Sequence, residues 1–291
     1  MAYLENKSTD TLGFIKWVGF LLLFIVPQLI YVYVFFIEPN WIQVKYVKIV
    51  SPRLSRALAG ITVVHISDMH IESLGFREVS MIENINAIKP DLILVTGDLI
   101  GNREAVGILW NILSLLEPKT HTYAVCGESD SAIDDLRDAR QWNATNTSLI
   151  DGKLIRLDIK GKGDTAFWLV GSPSEEGLSR VASIALSGEP VIVVNHRPDI
   201  VKQAAMKKVD LVVAGHTHGG QVGITLLQDL FPYAKRSPYI AGLYKVKDTL
   251  LYVNRGISSE KGLRFLCRPE ITVYEFAPEG KMRYQVLSQD K

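Results

Sequence analysis

Only two cysteines, Cys126 and Cys267, occur in 291 residues, and they lie far apart. That excludes a disulfide framework, though not a single bridge; two half-buried thiols in a reducing compartment are the plainer expectation. Charge of one sign is also lacking. Lys and Arg total 32, Asp and Glu 31, and the net charge is +1. No long basic tract is present, so no bulk field gathers nucleic acid and no nucleic-acid partner is expected. No internal repeat or low-complexity segment occurs, which excludes a repeat array.

One stretch lacks charge altogether. From Trp17 to Ile37 no residue is ionisable at neutral pH as Asp, Glu, Lys or Arg, and most are Leu, Ile, Val, Phe or Tyr. At about 1.5 Å per residue this run crosses a hydrocarbon core about 30 Å thick. Trp17 lies at one edge, and Tyr31, Tyr33 and Trp41 toward the other, as interfacial aromatics do. Pro27-Gln28 near the middle predicts a kink or a polar contact. The bulky Phe35-Phe36-Ile37-Glu38-Pro39 that follows is no cleavage site, so an uncleaved anchor is expected. Lys7 and Lys16 precede the run, whereas Lys45, Lys48, Arg53 and Arg56 follow it. The positive-inside tendency then puts the large C-terminal part in the cytoplasm.

The layout expected from these features is a tail over 1–16, an anchor over 17–37, a juxtamembrane connector over 38–60 and one globular domain over 61–291. The connector holds a possible strand at Ile42 to Val50. Beyond it, apolar β-branched runs alternate with amphipathic stretches. Ile61 to Ile66, Leu92 to Thr96 and Thr122 to Cys126 read as buried strands. Arg77 to Ile88, stopped by Pro90, and Glu104 to Leu116, stopped by Pro118, read as helices. Ser131 to Ala139 reads as a short charged helix. This order predicts βαβ units and a parallel sheet. The second half is richer in strands: Leu149 to Ile159, Ala166 to Gly171, Val191 to Asn195, Leu211 to Ala214, Leu250 to Asn254 and Ile271 to Phe276, with a helix over Pro198 to Lys207. A second sheet facing the first, helices outside, fits this pattern.

What the chain does possess is a set of imidazoles and carboxylates just past those buried runs. Asp68-Met69-His70 follows the first, Gly97-Asp98 the second, Asn195-His196 a later one, and Gly215-His216-Thr217-His218 the next. Residues two apart in extended backbone point the same way, so Asp68 with His70, and His216 with His218, can each converge on one ion. Asp98 has two oxygens and can bridge two ions. Nitrogen and oxygen donors without thiolate suit Mn, Fe or Zn. Two such ions can clamp an in-line phosphoryl displacement. His65, inside a strand, and His121, on a polar turn, read as structural. Arg197, Arg255, Arg264 and Arg268 are candidate phosphate contacts, or surface arginines. The apolar, aromatic segment Leu226 to Tyr239 either lies at a lipid surface or packs over the core.

In that order the clusters resemble the calcineurin-like metallophosphoesterase superfamily, marked by D-x-H, G-D, G-N-H, a lone H and G-H-x-H. Gly219-Gly220-Gln221, Asn254-Arg255-Gly256-Ile257 and Arg268-Pro269-Glu270 are similar to its membrane-associated bacterial branch, which includes UDP-2,3-diacylglucosamine hydrolases. The resemblance spans about Ile61 to the C-terminus. It implies an α/β fold, a four-layer α/β/β/α sandwich, here preceded by one transmembrane helix, at a bacterial inner membrane. It also implies two divalent metal ions, Mn foremost and Fe or Zn as alternatives. One ion takes Asp68, His70, Asp98 and His218; the other takes Asp98, His196, His216 and the residue at Glu128. Asp98 and His216 are the expected catalytic residues, and the implied substrate is a phosphoester or pyrophosphate, with a lipid-linked one among the candidates.

The resemblance breaks at Gly127-Glu128-Ser129, where the family has Asn and His. Glu128 adds negative charge, and Ser129 is no general acid near neutral pH. A leaving group stable as an anion, such as a nucleotide, is then expected over a simple alkoxide. Loss of these two residues leaves a second reading open, a weakened site serving as a membrane-tethered binding module.

Overall fold

The computed structural model describes residues 2–159, 166–186, 188–223, 237–259, 262–276 and 285–287. Helix α1 (Ala2–Val32) runs on through a π-helical stretch, Tyr33–Ile37, and a 3-10 turn, Glu38–Asn40. Pro27 lies inside α1, and the departure from α geometry comes later, at Tyr33. Gly13–Asn40, 28 residues, is the one helical stretch among the described residues long and apolar enough to cross a membrane. Its Leu23, Phe24 and Leu29 stand exposed, with no core of their own.

Two sheets make up the body. The first holds β1 (Gln43–Ile49), β2 (Thr62–Ile66), β3 (Leu92–Thr96), β4 (His121–Val125), β5 (Thr147–Leu149), β12 (Glu270–Phe276) and β13 (Gln285–Leu287), in the order β13-β1-β12-β2-β3-β4-β5. Strands β2 to β5 are parallel neighbours. The second holds β6 (Leu154–Leu157), β7 (Phe167–Gly171), β8 (Val191–Val194), β9 (Leu211–Ala214), β10 (Gly242–Val246) and β11 (Thr249–Val253), in the order β10-β11-β9-β8-β7-β6. Here β7, β8, β9 and β11 are parallel.

Alternation along each strand sorts its side chains into layers. Val63, Leu92, Leu94 and Val125 of the first sheet meet Leu169, Ile192, Val194 and Val213 of the second in the central core. The other face of the first sheet packs on α3 (Phe76–Ile88), α4 (Val106–Ser114) and α5 (Ala139–Ala144). The other face of the second packs on α6 (Glu175–Leu186) and α7 (Val201–Met206). The result is the four-layer α/β/β/α sandwich. Central strands buried on both faces explain the unbroken runs Leu-Ile-Leu-Val and Val-Ile-Val-Val.

Several local readings change. The stretch expected as a connector belongs to the folded body: β1 pairs in parallel with β12, and α2 (Pro52–Leu58) packs beside it, burying Val47, Ile49, Leu54 and Leu58. Its partner lies more than 200 residues away, so no local pattern announces the pairing. Ser131 to Ala139 is not one helix but two 3-10 turns, Asp130–Ala132 and Asp134–Arg137, followed by α5. The reason is competition for the side chains. Asp130 is held by the amides of Leu99 and Gly127, and Asp138 caps α5 through the Arg140 amide. Helix α6 and strand β10 were not foreseen. Of the segment Leu226 to Tyr239, residues 226–236 lie outside the described residues. Cys126 and Cys267 form no disulfide, and Cys267 is fully buried.

Candidate metal centre

Every cluster singled out from sequence lies in the loop after a parallel strand. Asp68 and His70 follow β2, Asp98 follows β3, Gly127 to Asp130 follow β4, His196 follows β8, and His216 and His218 follow β9. The strands of both sheets end toward the same place, and cross-sheet hydrogen bonds close it. The His196 Nδ1 lies 2.8 Å from the Thr96 carbonyl oxygen. The His216 amide donates to both Asp68 carboxylate oxygens, at 3.1 and 3.0 Å. The Asn254 Nδ2 donates to the His65 carbonyl and to Thr272.

The loops are built tightly. A Cβ on Gly127 would stand 2.2 Å from Asp98 Oδ1, and one on Gly215 would stand 1.8 Å from Ser67 Oγ. Five of the predicted ligand residues have left-handed backbone: Asp68 (φ 49°), His70 (40°), Asp98 (50°), His216 (73°) and His218 (50°). Such conformations at non-glycine residues concentrate at functional sites, where the surroundings hold them.

The side chains converge. Ligand-capable atoms of Asp68, His70 and His218 lie within 4.8 Å of one another, and so do those of Asp68, Asp98 and His196. The His218 Nε2 faces Asp68 Oδ1 at 3.6 Å, the His70 Nε2 faces Asp98 Oδ2 at 3.6 Å, and the His196 Nε2 faces Asp98 Oδ2 at 3.3 Å. Carbonyl oxygens at the opposite ring nitrogens assign the tautomers: Nδ1–H of His196 points to Thr96 O, and Nδ1–H of His218 to Ser258 O at 3.2 Å. That leaves each Nε2 directed at a carboxylate.

Electrostatics agree. Burial opposes charge on Asp98, yet the bond from His196, the Ser129 amide and His70 together hold its carboxyl well below the usual range. Burial also opposes charge on His196, but Asp98 and Asp68 prevail and push it up to about 9. Burial pushes His218 down to about 4 against the pull of Asp68, so at neutral pH Asp68 is ionised beside a neutral imidazole. The His70 Nε2 is buried without a hydrogen-bond partner among the described residues. Two carboxylates with imidazole nitrogens aimed at them fit Mn, Fe or Zn.

Two expected ligands lie at the margin. The His216 Nδ1 sits 3.1 Å from the His196 Nε2, and burial followed by the His196 charge lowers its pKa. Glu128 stands apart, its side chain 58% exposed and its Oε1 accepting from Arg197 Nη1 at 2.7 Å. Ser129, read from sequence only as a missing acid, has a definite part. Its amide and its hydroxyl both donate to Asp98 Oδ1, at 2.9 and 2.8 Å.

The model of the calcineurin-like phosphoesterases matches residues 61–220, the span that carries all these clusters. The chain belongs to that family. This phosphoesterase is 31% identical over 264 residues to an uncharacterized metallophosphoesterase, YkuE, of Bacillus subtilis, covering 84% of this chain and 88% of the relative. It is 26% identical to the phosphodiesterase YaeI of Escherichia coli, covering 84% and 91%. It is 24% identical to the UDP-2,3-diacylglucosamine pyrophosphatase LpxG of Chlamydia muridarum, covering 85% and 93%. Membership makes the chain a metal-dependent phosphoester hydrolase of a family that uses a dimetal centre.

Other readings resolve in this frame. His65 is a satisfied core residue between Tyr274 and Thr96, at 2.8 Å each. His121 bonds Asn146 and Ser148 at the start of β4. Three of the four arginines are internal ties: Arg255 to Glu270 and Gln43, Arg264 to backbone carbonyls, Arg268 to the Trp41 carbonyl and ring. The supporting roles of Asp130, Asn254 and Ser258 carry no spacing signal in sequence, because Asp130 and Asn254 bond groups far along the chain and Ser258 acts through its main-chain oxygen.

Proposed function

We propose that this protein is a membrane-anchored dimetal phosphohydrolase that cleaves the pyrophosphate bond of a nucleotide-linked lipid precursor, of the UDP-2,3-diacylglucosamine type. The convergence of Asp68, His70, Asp98, His196 and His218, each imidazole Nε2 facing a carboxylate, is the observation that carries the reading. One ion takes Asp68, His70, Asp98 and His218. The second takes Asp98, His196 and His216, with Glu128 as a further donor once its pair with Arg197 opens. Divalent ions bound there, Mn foremost, supply Lewis acidity and a nucleophile for in-line displacement at phosphorus.

The chain's own groups do the rest. Asp98 is shared between the two sets and is held still by Ser129. Thr96 and Ser258 fix the imidazole rings through Nδ1. His216, its Nδ1 3.1 Å from the His196 Nε2, is with Asp98 the catalytic residue in this reading. The absence of an imidazole at Ser129 favours a leaving group that departs as an anion. LpxG is named for such a substrate, and an apolar helix, Gly13–Asn40, long enough to cross a membrane supports a lipid-linked one. The lysines and arginines that follow the helix support a cytoplasmic orientation of the domain.

The test uses purified full-length protein, stripped of metal and reloaded with Mn. The expected outcome is cleavage of an acylated nucleotide-sugar pyrophosphate well ahead of an alkyl phosphodiester. Equal rates on the two would refute the leaving-group assignment, and inactivity on both with metal bound would refute the substrate class.

A further inference from the structure

We infer that Glu38, at the body-side end of the membrane-spanning helix, is a positioning residue for the metal centre, so that the anchor is part of the site's framework and not only a tether. The inference rests on the metal-centre reading above.

Glu38 is fully buried, although Phe36 and Ile37 beside it are 60% and 49% exposed. A carboxylate taken out of water costs several kcal/mol or more unless it is well hydrogen-bonded. Its bonds are unusual in where they go. One oxygen accepts from the Cys267 amide and the other from the Leu266 amide at 2.8 Å. Two successive amides turned toward one carboxylate form an anion-binding nest, and Leu266 takes left-handed backbone (φ 53°) to make it. The helix adds a second grip one turn earlier, where the Val34 carbonyl accepts from the Arg264 amide at 3.1 Å. Tyr33 packs edge-on against Phe265, ring centroids 6.4 Å apart. The last helical turns are therefore fastened to one loop, 264–267, from three sides.

That loop leads directly to the ligands. Arg264 is fully buried, and its guanidinium donates to the carbonyls of Cys267 (2.9 Å), Arg255 (2.7 Å), Gly256 (3.0 Å) and Ser258. The Ser258 carbonyl is the same oxygen that receives Nδ1–H of His218. The Ile257 and Ser258 amides donate to the carbonyls of Ser67 and Asp68, each at 2.9 Å. A Cβ on Gly256 would stand 2.8 Å from the Asp68 Cβ, so Gly256 packs directly against the Asp68 side chain. The Cys267 sulfur lies against the His218 and Gly219 carbonyls, at 3.6 and 3.5 Å. Glu38 sets the loop, the loop sets Arg264, and Arg264 sets the carbonyl that orients His218. Partners of this kind, which orient a ligand without touching the ion, tune metal affinity.

The experiment uses the full-length protein in nanodiscs. Glu38→Gln puts an N–H₂ against one of the two amides and breaks half the clasp; Glu38→Ala removes it. Phe36→Ala, at the exposed side of the same turn, controls for general disturbance of the helix end. Mn²⁺ affinity by titration calorimetry is expected to fall about tenfold in both Glu38 variants and to stay at the wild-type value in Phe36→Ala. Far-UV circular dichroism reports whether each variant is folded. A second measurement needs no Glu38 variant. In a Cys126→Ser background, saturating Mn²⁺ is expected to slow maleimide modification of Cys267, since coupling between two sites is reciprocal. Folded Glu38 variants within about twofold of wild-type Mn²⁺ affinity would overturn the inference. So would a Cys267 rate indifferent to Mn²⁺, should the variants not fold. Wild-type protein that binds no Mn²⁺ would instead overturn the metal-centre reading beneath it.

Discussion

Ser129 shows how much the neighbourhood decides about a single side chain. In sequence it is the wrong residue for its motif. In the fold its hydroxyl and its amide both reach Asp98 Oδ1. Ser129→Ala keeps the amide bond and loses the other, so Mn²⁺ affinity is expected to drop about tenfold with thermal stability nearly unchanged, read by calorimetry and a thermal melt. An unchanged affinity would show that the amide alone fixes Asp98. The imidazoles and carboxylates themselves were legible in the sequence, because Asp68/His70 and His216/His218 repeat a spacing of two after β-branched runs. Their supports were not. Ser258 and Thr96 act through main-chain oxygens, which any residue type supplies, and Glu128 pairs with Arg197, a neighbour 69 positions away.

Strand and loop ends carry the next level. The strands β2, β3, β8 and β9 were legible because both faces are buried and the composition says so. The ties between elements were hidden, since β1 and β12 find each other only across the whole chain. Glu270 opens β12 and is one such tie. Buried completely, it accepts from Arg255, Tyr252 and Thr272 and lies 3.8 Å from Lys45 of β1. Burial alone would raise its pKa, but Arg255 and Lys45 outweigh it and bring the carboxyl from 4.5 to about 2. The folded value lies below the unfolded one. Its contribution is therefore whole above about pH 4.5 and drains away as pH falls toward 2. Glu270→Gln is expected to cost about 3 kcal/mol at pH 7, with the deficit against wild type shrinking by pH 3 in denaturant titrations. A deficit independent of pH would assign the loss to packing. At the end of β9, Gly215→Ala would drive a methyl into Ser67 and Asp68. A loss of about 3 kcal/mol together with weakened Mn²⁺ binding is expected, checked by the same titrations. Tolerance of the alanine would mean that the Asp68 loop can retreat.

For the molecule as a whole, the N-terminal helix and the body are joined without a break. The helix through Asn40 passes into β1, and β1 lies second from the edge of the first sheet. Full-length protein expressed in a bacterium is expected to stay with the membrane pellet through an alkaline carbonate wash. Release into the supernatant would show that the helix does not span. The expected boundary at Ile61 came from the first clear buried run, and only the pairing of β1 with β12 reveals that the body starts earlier. One last consequence follows from the backbone at Asp68, His70, Asp98, His216 and His218. Holding five L-residues in a region that glycine occupies at no penalty costs on the order of 1 kcal/mol apiece. A breeding programme that rewards heat endurance alone would drift toward glycine or asparagine at these positions, yielding hardier descendants that no longer turn over substrate.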